Sequence, residues 1–138
     1  MTQHWLLKTE PEEWSWTAQV KKGVEAWTGV RNHQAAKHLR GMAVGDRCFF
    51  YHTGGEKQVV GIVKVARTAY TDPTDEAGKF VAVDVRTDRP FKRPVTLAEI
   101  KAEPKLAEIL LVRHSRLSVM PIDEKSWALI CKMGDTAP

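Results

Sequence analysis

Apolar positions in this chain fall into short runs with two different periods. Trp5-Leu6-Leu7-Lys8 reads as a strand, which Pro11 ends. Ser15 is placed to cap a helix from Trp16 to Lys22, closed by Gly23. Asn32 is placed to cap a second helix through Ala35, Ala36 and Leu39 to Arg40, with Gly41 as its stop. Gly45-Asp46 is a turn signal. The middle of the chain is β-rich. Arg47 to His52 carries Cys, Phe, Phe and Tyr, Gly54-Gly55 marks a hairpin turn, and Val59 to Ala69 is a long β-branched run. Gly61 inside that run predicts a sharp bend or bulge. From Phe80 to Arg86, Val81, Val83 and Val85 alternate with Ala82, Asp84 and Arg86.

The last third predicts short helices. Thr96-Leu97-Ala98-Glu99 is a capping box, and Pro104 ends that helix or opens the next one, which carries Leu106, Ile109 and Leu110. Leu117 to Met120 reads as a final strand. Asp123 then caps a helix holding Trp127 and Ile130, and Gly134 stops it. The pattern predicts an α+β fold with a bent or partly closed β-barrel of five to six strands, surrounded by short helices.

Composition narrows the picture. The chain has 138 residues, 43% hydrophobic and 28% charged, which suits one globular domain over 1–138 with a single core. No apolar run approaches the ~20 residues of a membrane helix, so no membrane partner is expected. The first residues, Met1 to Trp5, lack the basic and apolar regions of an export leader. Cys48 and Cys131 are expected to be reduced and buried, and the protein to be cytoplasmic and monomeric. The net charge of +4 is unevenly spread: residues 1–69 hold ten Lys/Arg against six Asp/Glu, and residues 70–138 hold eleven of each. A basic first half favours polyanions such as nucleic acid, although +4 is also ordinary for a soluble domain.

Catalytic constellations are not visible. There is no GxSxG elbow, no phosphate loop, and no base beside either cysteine. His33 and His38 are five residues apart and do not share a helix face, and no CxxC or HExxH occurs. No catalytic set, metal site or cofactor is therefore predicted. Glu10, Glu12 and Glu13 form a carboxylate cluster that reads first as support for the following helix.

Binding chemistry remains. Four of the five tryptophans (Trp5, Trp14, Trp16 and Trp127) lie on apolar faces or near caps and read as packing. Trp27 differs, because Thr28-Gly29-Val30-Arg31-Asn32 follows it without helix or strand period. A planar ligand needs a ring to stack on, a small residue that admits backbone, and directed donors and acceptors. The segment offers all three, and it also fits a buried Trp before a turn. Tyr51-His52-Thr53 ends a hydrophobic strand, where side chains emerge at a barrel mouth, and Tyr70-Thr71-Asp72-Pro73-Thr74 contains a turn initiator.

Taken in order, several motifs closely resemble the EVE domain family. They are Trp5-Leu6-Leu7-Lys8-Thr9-Glu10-Pro11, Trp27-x-Gly29-Val30-Arg31-Asn32-x-Gln34-Ala35, Gly45-Asp46 with Tyr51-His52-Thr53, Gly61-Ile62-Val63, Tyr70-x-Asp72-Pro73-Thr74 and Arg116-Leu117-Ser118-Val119. The resemblance implies a PUA-like fold related to the YTH readers of methylated adenine. It implies binding of nucleic acid with modified bases, with modified cytosine in DNA favoured and modified RNA the other ligand class. Lys8 and Trp27 match the YTH positions of a strand-ending lysine and a cage tryptophan, and Arg31, Asn32 and Gln34 match the family's pocket segment. The chain departs from the family at Thr53, usually Ser, and at Phe80, often Trp and here a smaller candidate cage wall.

The resulting ligand-binding set is Trp27, Thr28, Gly29, Val30, Arg31, Asn32 and Gln34, with Lys8, Tyr51, His52, Thr53, Asp72 and Phe80. Lys8, Arg31, Lys37 and Arg40 are the expected phosphate contacts. Trp27 is expected to stack on the base, and Asn32 or Thr53 to read its polar edge. The competing readings are an enzyme acting on a modified nucleotide through His52 or Asp72, and a protein-interaction adaptor that uses exposed tryptophans.

Overall fold

A computed structural model describes residues 3–138; Met1 and Thr2, the start of the segment read as lacking a leader, lie outside it. The elements, in chain order, are β1 (His4–Thr9), α1 (Trp16–Lys22), β2 (Val24–Trp27), α2 (His33–Arg40), β3 (Arg47–His52), β4 (Gln58–Thr71), β5 (Val81–Thr96), α3 (Leu97–Ala102), α4 (Leu110–Arg113), β6 (Val119–Pro121) and α5 (Glu124–Met133). A 3-10 turn over Pro104–Leu106 precedes α4. Among the described residues no helix is long and apolar enough to cross a membrane.

The strands form one six-stranded sheet in the order β2-β5-β4-β3-β1-β6. β1 runs parallel to β3, and every other neighbouring pair is antiparallel. The class is α+β, as predicted, with an open rather than closed sheet: no ladder joins β2 to β6 among the described residues. Its bend comes from the β4–β5 ladder, where the register shifts at four places between Val59 and Tyr70. Such shifts add a residue to one strand, bend it and increase its twist. The bend predicted at Gly61 is one of these shifts. Gly61 has a second role, because a Cβ there would lie 2.5 Å from the Trp16 ring. The missing side chain is the space the indole fills.

Successive residues of β3 point to opposite faces and anchor opposite layers. Phe49 stacks on Trp127 of α5, with centroids 3.8 Å apart, and meets the edge of Phe91. Phe50 takes the edges of Trp16 at 5.2 Å and Trp27 at 5.6 Å. The Phe50 face therefore leads to the tryptophan segment. Both cysteines are free and buried, and burial pushes the Cys131 thiol up to about 11.

Caps fall where the sequence predicts. Ser15, Asn32, Thr96 and Asp123 each accept a backbone amide of the helix that follows. Several strand boundaries differ. β2 is absent from the sequence reading, although Trp27 is its last residue and pairs with Val83. β5 runs on through Pro90 and Pro94 to Thr96. Proline lacks a ladder donor, which argues against a strand, but Pro90 sits opposite Gly61 in the irregular stretch where pairing is already interrupted. Ala82 is as deeply buried as Val83, so the alternation from residue 80 does not separate a core face from a solvent face. The last strand is shorter and later than predicted, and Pro104 opens a 3-10 turn rather than one helix through Leu110.

Candidate functional site

Local chemistry fixes the segment after β2. Gly29 has φ of +84°, a conformation that disfavours any side chain. Asp72, just beyond the end of β4, is fully buried and clamps the segment from across the sheet. Its Oδ2 accepts the Gly29 amide at 2.8 Å and the Arg31 guanidinium at 3.0 Å. Its Oδ1 accepts both the amide and the hydroxyl of Thr74 at 2.7 Å. Burial alone would push this carboxyl upward, but the Thr74 hydroxyl, the Gly29 and Thr74 amides and Arg31 outweigh it and hold the pKa at about 2. Arg31 also donates to Thr74 and lies 5.6 Å over the Phe80 ring.

The opposite wall comes from the turn after β1. The amides of Glu13 and Trp14 both donate to the Glu10 carbonyl, and the Thr9 hydroxyl donates to the Trp14 carbonyl. The Trp14 indole is held by the Gln19 carboxamide at 2.9 Å. Between the two walls lies a cleft of about 430 Å³. It is lined by the whole segment from Glu25 to Asn32, by Lys8, Thr9, Glu10, Glu13 and Trp14, and by Ser118. The lining carries three carboxylates, Glu10, Glu13 and Glu25, and two cations, Lys8 and Arg31. Glu25 is paired with Lys22 at 2.7 Å. Burial lowers the Lys8 pKa, and its ammonium donates to the Ser115 carbonyl at 2.9 Å.

The predicted residues divide into three groups. Trp27, Thr28, Gly29, Val30, Arg31, Asn32 and Lys8 converge on the cleft. Trp27 is only 7% exposed, so it contributes part of its ring while the rest packs on Phe50. Asn32 has committed its Oδ1 to the Ala35 amide, which leaves its NH₂ as the free directed group. Asp72 does not line the cleft but fixes the residues that do.

The remaining predicted residues lie elsewhere. Tyr51 is buried beneath Lys8, and burial raises its hydroxyl to about 12. Both ring nitrogens of His52 are occupied: Nε2 accepts the Trp16 amide at 3.0 Å, and Nδ1 pairs with Glu56 at 2.9 Å. The Thr53 hydroxyl donates to Glu10 and the Thr9 carbonyl, so it braces the turn after β1 instead of lining the cleft. Phe80 packs against His33 and under Arg31, away from the cleft. Gln34 opens on a neighbouring depression. Lys37 and Arg40 line neither, and Arg40 donates to the Lys79 carbonyl.

The sequence reading missed Thr9, Glu10, Glu13, Trp14, Glu25, Ala26 and Ser118 as cleft residues. Glu10 and Glu13 do belong to the carboxylate cluster, and Trp14 precedes the Ser15 cap, but a reading along the chain has no means of folding that turn over Trp27.

The EVE domain family model matches residues 3–133. Thymocyte nuclear protein 1 of Gallus gallus is 32% identical, over 98% of this chain and 70% of that protein. An NMR structure of a Rhodopseudomonas palustris protein is 54% identical, with a TM-score of 0.92 over 97% of this chain and 94% of that one. A crystal structure of human THYN1 protein in complex with 5-methylcytosine containing DNA is 30% identical, with a TM-score of 0.86 over 99% of this chain and 100% of that one. The relatives in Gallus gallus and Homo sapiens are named thymocyte nuclear protein 1, which overturns the cytoplasmic expectation drawn from the lack of a leader. The open sheet, the ordered motifs and the match over nearly the whole chain agree: this chain belongs to the EVE domain family.

Proposed function

We propose that this chain is a reader of 5-methylcytosine in DNA that takes the modified base into the cleft between Trp14 and Trp27. The observation that carries the reading is the cleft itself, lined by two tryptophans, by carboxylates and by cations, in a chain similar to a human protein solved with 5-methylcytosine containing DNA. Cytosine presents an exocyclic amino group beside two acceptors, the ring N3 and the O2 carbonyl oxygen. A carboxylate is the natural acceptor for that amino group, which suits Glu10, Glu13 and Glu25. Lys8, the Asn32 NH₂ and the Thr28 hydroxyl are donors for the acceptor edge. The cleft walls are already tied down by Asp72 and Gln19, so little ordering entropy opposes binding.

The binding module is favoured over a nucleotide-modifying enzyme by the state of the two residues that reading would use. His52 has no free ring nitrogen, and Asp72, held at about 2, is not a proton donor near neutral pH. Against the adaptor reading, none of the five tryptophans is exposed, and the large exposed hydrophobics among the described residues are Val20 and Val44.

Burying one methyl group contributes ~0.8 kcal/mol, about fourfold in affinity. The expected result of titrating paired oligonucleotides, identical except for one 5-methylcytosine, is therefore a preference of at least that size. A single-stranded or mismatched target should bind tighter than a perfect duplex, because extruding a paired base costs a few kcal/mol. Equal affinity for methylated and unmethylated strands in every format would contradict the proposal.

A further inference from the structure

A second depression, about 340 Å³, lies beside the cleft and shares a wall with it. It is lined by Asn32 and Gln34 at the start of α2, by Arg113 at the end of α4, and by His114-Ser115-Arg116-Leu117 in the segment that leads from α4 to β6. Three features join the two spaces. Asn32 lines both. The Lys8 ammonium, which lines the cleft, donates to the carbonyl of Ser115, which lines the depression. Leu117 and Ser118 are adjacent residues, one in each lining.

The charge of this depression matches what a strand leaving the cleft needs. Glu10 and Glu13 in the cleft lining repel phosphate, so a sugar–phosphate backbone leaving the cleft favours a neighbouring surface that carries cations. Of the two cleft cations, Arg31 is already paired with buried Asp72, and the Lys8 ammonium is held by the Ser115 carbonyl. Lys37 and Arg40, the other cations the sequence offers for this task, line neither space. Arg113 and Arg116 do. Arg113 carries a pair with exposed Glu108, an interaction worth little at the surface and readily exchanged. Arg116 is exposed and has no acid partner among the described residues. The first turn of α2 holds no acidic residue, and the amides of His33 and Gln34 have no protein acceptor among the described residues, so the helix adds favourable potential on the same side.

We propose that this depression is the track for the phosphodiester backbone that flanks the bound base, with Arg116 and Arg113 as its phosphate contacts. The proposal rests on the cleft reading above and assigns the direction in which the strand leaves. It also places functional cations in the half of the chain whose charges balance to zero, because position in the fold matters here and net charge does not.

The test compares wild type with Arg116→Ala and with the double variant Arg113→Ala/Arg116→Ala. Each is titrated with single-stranded oligonucleotides with and without one 5-methylcytosine, across 50–200 mM salt. Lys132→Ala, on α5 outside both spaces, serves as the control. Phosphate contacts to a single strand each contribute ~0.7 to the log–log salt slope. The expected result is a slope shallower by ~0.7 for the single variant and by ~1.4 for the double, with affinity for both oligonucleotides lowered by the same factor. Lys132→Ala should match wild type. An unchanged slope and affinity in a folded double variant overturns the track. The two readings fail differently. A wild type without methyl preference removes the cleft reading and leaves the slope to judge the track, whereas a wild type that binds no oligonucleotide overturns both.

Discussion

Asp72→Ala is expected to abolish recognition of the methylated strand and to lower the unfolding free energy by about 3 kcal/mol, roughly 10 °C in midpoint for a chain of this size. The carboxylate does not line the cleft, yet it accepts four hydrogen bonds: two join the end of β4 to Gly29 and Arg31, and two from Thr74 fix its own turn. Charged hydrogen bonds contribute ~1.5–3 kcal/mol each in isolation and less when they share one acceptor group. Removing the carboxylate also leaves Arg31 without its counter-charge and frees the Gly29 turn from the sheet. The pH dependence identifies the same group. Its folded pKa of about 2 lies below the ordinary carboxylate value. The stabilisation is therefore complete above about pH 4 and is lost as pH falls toward 2. Denaturant midpoints of wild type should fall across that window. Those of Asp72→Asn should start lower and change less, with any remaining slope arising from other carboxylates. Equal midpoints at pH 6 for wild type and Asp72→Ala would show that the clamp carries no weight.

Trp27 produces the second large effect, and the substitution chosen decides what is learned. Its indole is 7% exposed and meets Phe50 edge-on at 5.6 Å, so Trp27→Ala opens a core cavity and should cost ~3–5 kcal/mol of stability. Lost binding in that variant would not separate stacking from unfolding. Trp27→Phe keeps an aromatic ring on Phe50 and removes the larger surface at the cleft. It should stay folded and weaken binding of the methylated strand by at least about fivefold, the low end of a ~1–3 kcal/mol base–aromatic stack. Its salt slope should equal that of wild type, because no phosphate contact is lost. That pattern is the reverse of the one expected for Arg116→Ala. A folded Trp27→Phe with undiminished affinity would move the stacking surface to Trp14.

The sequence makes some parts of this architecture legible and hides others for physical reasons. Helix caps are local: Ser15, Asn32, Thr96 and Asp123 are each recognisable because side chain and amide lie three residues apart. The strand Arg47–His52 and the bend at Gly61 are equally local signals. Long-range partners are not. β2 is four residues long and gains its identity from pairing with β5, some 60 residues later, so the segment ending in Trp27 shows no period of its own. The same limit affects the site. Trp27 to Asn32 is contiguous and was identified from its own chemistry and the family motif. The wall formed by Glu10, Glu13 and Trp14 reaches it only through the fold. Thr53 and His52 appear in the motif for a different reason: they brace the turn after β1 and the start of α1. A family motif records which residues belong together and leaves open which of them face the ligand.

In the proposed reader the base enters between Trp14 and Trp27, beside the Thr28–Asn32 segment. The most direct test is a ¹H–¹⁵N correlation spectrum recorded while a short single-stranded oligonucleotide with one 5-methylcytosine is added. The five tryptophan indole N–H groups and the backbone amides report separately on each part of the fold. The Trp14 and Trp27 indoles and the amides of Thr28 to Asn32 should move first and furthest, while Trp5 and Trp127 stay in place. Saturable shifts centred on other residues, with Trp14, Trp27 and that segment unmoved, would contradict it.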